Sequence, residues 1–111
     1  MLSEAQQERL ARNEAFFREV NERVRDAGTY EGADEDVYEF FCECAQADCL
    51  ERVRLPLAAY EAVRAEPRRF IIAPGHDVPA IEHVVSEGAQ AAIVEKNGTA
   101  GKVAEALDSR R

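Results

Sequence analysis

The chain has 111 residues, with 22 Asp and Glu against 14 Lys and Arg and a formal net charge of −8 at pH 7. That length fits one domain over residues 1–111. The acidity argues against nucleic acid or an anionic membrane surface as partner, since both depend on neutralising phosphates.

Composition narrows the choices further. Hydrophobic residues make up 46%, but 19 are alanine, so the core is thin and a metal staple would suit it. Twelve bases are Arg and two are Lys (Lys96, Lys102), a bias of high-GC bacterial genomes. No apolar run approaches the ~20 residues that cross a bilayer. The N-terminus turns polar within a few residues, unlike a signal peptide. The expectation is a cytoplasmic protein with reduced thiols.

Residues 3–27 read as a helix. Ser3 and Gln6 match a capping box, and Gly28 stands where a C-terminal stop belongs. Leu10, Phe17, Val20, Val24 and Ala27 form the expected inward stripe. Glu8–Arg12, Glu14–Arg18 and Glu19–Arg23 read as i,i+4 pairs on a solvated face, and Phe16 widens the apolar stripe. Residues 28–36 form an acidic connection. Its Asp34-Glu35-Asp36 run lacks the spaced ligands and turn glycine of a calcium loop.

From Val37 the period becomes two. Val37–Cys42 and Leu50–Leu55 read as strands, the second with Val53 and Leu55 on one face and Arg52 and Arg54 on the other. Pro56 opens a short helix to about Ala65, with Leu57, Tyr60 and Val63 inward, and Pro67 ends it. Phe70–Ala73, Ile81–Ser86 and Ala91–Lys96 are three further strands. Asn97-Gly98 marks a turn, and Thr99 is expected to cap a last helix to about Leu107. The fold class is α+β: a mainly antiparallel sheet of about five short strands, a long N-terminal helix and two shorter helices. Residues 37–111 form its core.

The chemistry concentrates in Cys42-Glu43-Cys44, Cys49 and Pro74-Gly75-His76. Residues two apart in a strand face the same way, so Cys42 and Cys44 project together. The next four residues let Cys49 fold back beside them. Three thiolates and an imidazole are the donor set of a tetrahedral Cys₃His site. His76 leads as fourth ligand because Pro74-Gly75 makes a tight turn that presents it. His83, Asp48, Asp77 or an open position are the alternatives, and His83 reads better as a surface or satisfied core histidine. Zn²⁺ suits soft thiolates plus imidazole.

A [2Fe–2S] cluster is the rival, because Cys-x-Cys followed by Cys and His resembles the ligand order of the CDGSH-type iron–sulfur proteins. The match is partial: there is no Cys-Asp-Gly-Ser-His run, and His76 lies 27 residues beyond Cys49 instead of four. Redox or thiol sensing, or a small enzyme with an open metal position, are the remaining readings. Gly98-Thr99-Ala100-Gly101-Lys102 is no P-loop, having two residues between its glycines and Val103 after the lysine. No Ser, His and acid grouping resembles a hydrolase.

The chain also resembles small, acidic proteins of high-GC bacteria. The resemblance rests on Phe41-Cys42-Glu43-Cys44, Cys49, Tyr60-Glu61-Ala62-Val63-Arg64, Pro67, Phe70, Pro74-Gly75-His76 and Val94-Glu95-Lys96. No activity attaches to that group, so it implies the unity of the pattern and supplies no function. The sequence therefore points to a zinc-binding interaction or regulatory module. A protein partner would meet it through the first helix or the cysteine-bearing hairpin.

Overall fold

A computed structural model describes residues 2–31, 37–46 and 48–110, with the backbone alone for 28–31. The acidic run at Asp34–Asp36 lies outside the described residues. Helix α1 spans Glu4–Glu31, α2 Leu57–Arg64 and α3 Gly98–Ala106; the strands are β1 (Val37–Phe41), β2 (Arg52–Pro56), β3 (Arg69–Ile72), β4 (Glu82–Glu87) and β5 (Ala92–Lys96). All strand pairs are antiparallel, so the class is α+β.

Local chemistry explains the helix ends. Ser3 N–H donates to Gln6 Oε1 (2.8 Å) and Gln6 N–H to Ser3 Oγ (3.1 Å), the reciprocal bonds of a capping box. At the other end α1 runs through Gly28, where a stop was expected. Glycine costs a helix about 1 kcal/mol relative to alanine and ends it only by turning left-handed. Thr99 does not cap α3; Asn97 stands at the N-cap position in extended backbone, without a side-chain cap bond.

The strands form two sheets, β1–β2 and β3–β5–β4, where one was expected. The separation has a local cause: a stretch of non-strand chain occupies the free edge of β3. Glu43 N–H donates to the Ile71 carbonyl (2.8 Å), and Ile71 N–H donates to Glu43 Oε1 (3.0 Å). A carboxylate thus takes the place of a neighbouring strand's carbonyl. Phe40, Val53, Tyr60, Phe70, Ile71, Ile72 and Val94 form the core, with Phe40 stacked on Tyr60 at 4.3 Å.

Helix α1 covers this core with a face that the hydrophobic pattern misplaces. Its buried positions are Ala11, Glu14, Ala15, Arg18 and Asn21. Leu10, Phe17, Val20 and Val24 flank that face half-buried, Ala27 is exposed, and Phe16 points to solvent. Glu8–Arg12 is an exposed ion pair at 2.9 Å, as its spacing implies. Glu14 and Arg18 depart from the expected solvated face, because each finds a distant partner. Arg18 donates to the carbonyls of Pro67 (2.7 Å) and Ala104 (2.8 Å) and lies over the Phe70 ring. Glu14 and Glu82 both contact Lys96, and all three side chains are fully buried.

Burial lifts the Glu14 carboxyl from 4.5 to about 7, with Lys96 and then Arg18 pulling the other way. Burial likewise lowers Lys96, against the pull of Glu14. Between pH 4.5 and about 7 the folded chain therefore keeps a Glu14 proton that the unfolded chain has released. The stability this group contributes is complete below its unfolded value and is lost as pH rises through about 7. Glu14→Gln, which mimics the protonated form, should gain on the wild type between about pH 5 and about pH 8 in urea titrations. A difference that stays constant over that range contradicts the assignment. Lys96→Met strands two facing carboxylates and should lower stability by about 3 kcal/mol or more.

Candidate metal centre

The β1–β2 ladder ends at Phe41–Arg52, and one further bond, Cys42 N–H to the Glu51 carbonyl (2.9 Å), carries the hairpin to the first cysteine. Cys42 and Cys44 therefore sit at the hairpin end, on one side of an extended segment. Cys49 N–H donates to the Gln46 carbonyl (3.1 Å), a turn that folds the third thiol back toward the first two. The imidazole arrives from the opposite sheet. After β3, Pro74-Gly75 reverses the chain, Gly75 at φ +87° and His76 N–H donating to the Ala73 carbonyl (3.0 Å). Only glycine adopts that backbone readily.

Cys42, Cys44, Cys49 and His76 converge. One ligand atom from each lies within 4.8 Å of all the others, and the four can hold a metal ion. His76 Nδ1 is 3.6 Å from both the Cys42 and the Cys49 sulfur. Cys42 and Cys44 are buried, Cys49 and His76 half-buried. The remaining candidates stand apart. His83 is exposed on β4 and contacts Asn97 Oδ1 (2.9 Å), Asp48 is exposed, and neither it nor Asp77 joins the cluster.

The electrostatics of the pocket follow from burial. Burial pushes the Cys42 thiol up, and the neighbouring Cys44 and Cys49 add to the effect. Backbone N–H groups of Ala73 (3.1 Å to the sulfur) and Cys44 work against it. Cys44 is raised by burial too, offset by the Gln46 backbone. Thiols so placed keep their protons unless a cation takes the protons' place. N–H groups aimed at sulfur then stabilise the thiolate form.

Three supporting residues escaped sequence reasoning: Asn21, Glu43 and Ala73. Asn21 had a signal, since asparagine is a poor helix former in an otherwise favourable run. Glu43 had one also, as an acid between two cysteines that must face away from them. Glu43 is wholly buried, and burial raises its carboxyl to about 7 against hydrogen bonds from Asn21 and Ile71.

No known protein family, curated protein or solved structure matches this chain. Among the described residues no helix is long and apolar enough to cross a membrane. The functional reading thus rests on the site itself.

Proposed function

We propose that Cys42, Cys44, Cys49 and His76 hold one Zn²⁺ in a closed shell, and that the chain is a zinc-stapled α+β domain acting as an interaction or regulatory module. The observation that carries this reading is the convergence of four ligand atoms within 4.8 Å. A tetrahedral zinc with Zn–S of about 2.3 Å and Zn–N of about 2.0 Å sets its sulfur and nitrogen ligands about 3.5 Å apart. Both sulfur–nitrogen separations in the site, from His76 to Cys42 and to Cys49, are 3.6 Å. One imidazole nitrogen has a single lone pair or a single N–H, so it makes one strong hydrogen bond and not two. Equal distances to two sulfurs suit a cation shared among them.

The same compactness favours a single ion over [2Fe–2S]. A two-iron cluster divides its ligands into pairs on either side of an iron–sulfur rhomb and drives the pairs apart. Four protein ligands leave no open position for a reacting water, which favours a structural over a catalytic role. A structural zinc adds its binding free energy to the stability of the folded state. In the thin-cored protein described above, that staple supports the fold.

Elemental analysis of protein purified without chelator should find one equivalent of zinc. Less than half an equivalent of any transition metal contradicts the reading. His76→Ala should weaken zinc by more than the roughly 10- to 100-fold that an outer-shell partner is worth, whereas His83→Ala should leave affinity unchanged. Equal losses from the two substitutions would remove His76 from the ligand set.

We propose further that the module meets a protein. Phe16 on α1 is 63% exposed and Leu50 beside the cysteine turn 74% exposed, so each of the two expected contact regions carries a large apolar residue in solvent. With a net charge of −8, the chain should not shift DNA or RNA in a retardation assay at about 0.15 M salt. Micromolar binding to either nucleic acid there overturns a protein-directed role.

A further inference from the structure

The segment from Phe41 to Ala45 is held from two sides. Cys42 and Cys44 face the sulfur cluster, while Phe41 and Ala45, through backbone groups, and Glu43, through its carboxylate, meet α1. Asn21 Nδ2 donates to the Phe41 carbonyl (2.8 Å) and to Glu43 Oε2 (2.7 Å), while Asn21 Oδ1 accepts the Phe41 N–H (2.8 Å). One amide thus gives Phe41 both bonds that a neighbouring strand would give, next to the first cysteine. Two turns earlier in the helix, Asn13 donates to the Ala45 carbonyl (3.4 Å), and Ala11 and Ala45 belong to one small buried cluster with Ile81 and Ala100.

These contacts are amides and small side chains, with little apolar area to hold the segment by itself. Glu43 has a second anchor on β3, through Ile71, which does not involve α1. The five-residue segment is therefore a shared element: a metal would order its cysteine side, and α1 orders the other.

We propose that Asn21 is a positioning residue of the metal site, and that metal occupancy and docking of α1 are coupled through residues 41–45. This rests on the zinc reading above. Zinc fixes Cys42 and Cys44 and so presents the Phe41 and Ala45 backbone and the Glu43 carboxylate to Asn21 and Asn13. Docked α1 in turn holds the two thiolates in register. Coupling of this kind is reciprocal, so the factor by which zinc favours docking equals the factor by which docking favours zinc. The apolar core that contains Cys42 and Cys44 is shared with β3, β5 and α2, but β5 is laddered on both sides, to β3 and to β4, and so is held independently of residues 41–45.

Hydrogen exchange of the full-length zinc-loaded protein, with and without a strong chelator, tests the coupling. Zinc removal should raise exchange about tenfold or more in α1 around residues 11–21 and in 41–46, while the central strand β5 stays protected. Simultaneous loss of protection throughout the chain overturns the coupling, and so does an α1 that keeps its protection. Asn21→Asp keeps the size and the oxygen that accepts the Phe41 N–H but sets a carboxylate against Glu43. It should weaken zinc by roughly 10- to 100-fold in a chelator competition and abolish the zinc-dependent change in α1. Glu8→Gln, on the solvent side of the same helix, should alter neither. An Asn21→Asp affinity within about twofold of the wild type overturns the assignment. Protein that takes up no zinc removes the metal reading and this coupling together, whereas full uptake with unchanged α1 exchange removes the coupling alone.

Discussion

Three thiol sulfurs and an imidazole stand within 4.8 Å of one another at the junction of the two sheets, a set that can hold a metal ion. The rest of the molecule is arranged around that junction. The β1–β2 hairpin delivers two cysteines, a turn returns the third, and the Pro74-Gly75 reversal brings the imidazole across from β3. Without a cation, burial disfavours the thiolate form of Cys42 and Cys44. With one, the cluster links the hairpin to the three-stranded sheet, and among the described residues the two sheets share no strand-to-strand ladder.

The surroundings of the cluster are more polar than is usual for so small a core. Glu14, Arg18, Asn21, Glu43, Arg64, Glu82 and Lys96 are all buried. Lys96 meets two carboxylates, Arg64 meets Glu22 (3.1 Å) and Asp108 (2.7 Å), and Arg18 donates to two carbonyls. Buried pairs of this kind add little net stability over apolar packing but are costly to break singly. They fix where α1 lies, and hence where its asparagines meet the cysteine segment. Position, more than adhesion, is what the polar interior supplies.

Much of this was legible in the sequence because the signals were local. The capping box at Ser3 and Gln6, the alternation in Arg52–Leu55 and the inward Leu57, Tyr60 and Val63 are decided within a few residues, and the structure bears each of them out. The cysteine spacing and the turn before His76 were local as well, but their meeting was a matter of topology. What stayed hidden was long-range. Glu14 and Arg18 form an acceptable solvated pair until Lys96, 82 residues away from Glu14, and the Pro67 and Ala104 carbonyls claim them. The split into two sheets depends on Glu43 bonding to Ile71, which no periodicity encodes.

X-ray absorption at the zinc edge of protein purified without chelator tests the central claim most directly, since it reads the ligand shell itself. The account predicts one ion with three sulfurs at about 2.3 Å and one nitrogen at about 2.0 Å. A shell of oxygen and nitrogen alone, a four-sulfur shell, or iron in place of zinc with a second iron close by, would contradict it.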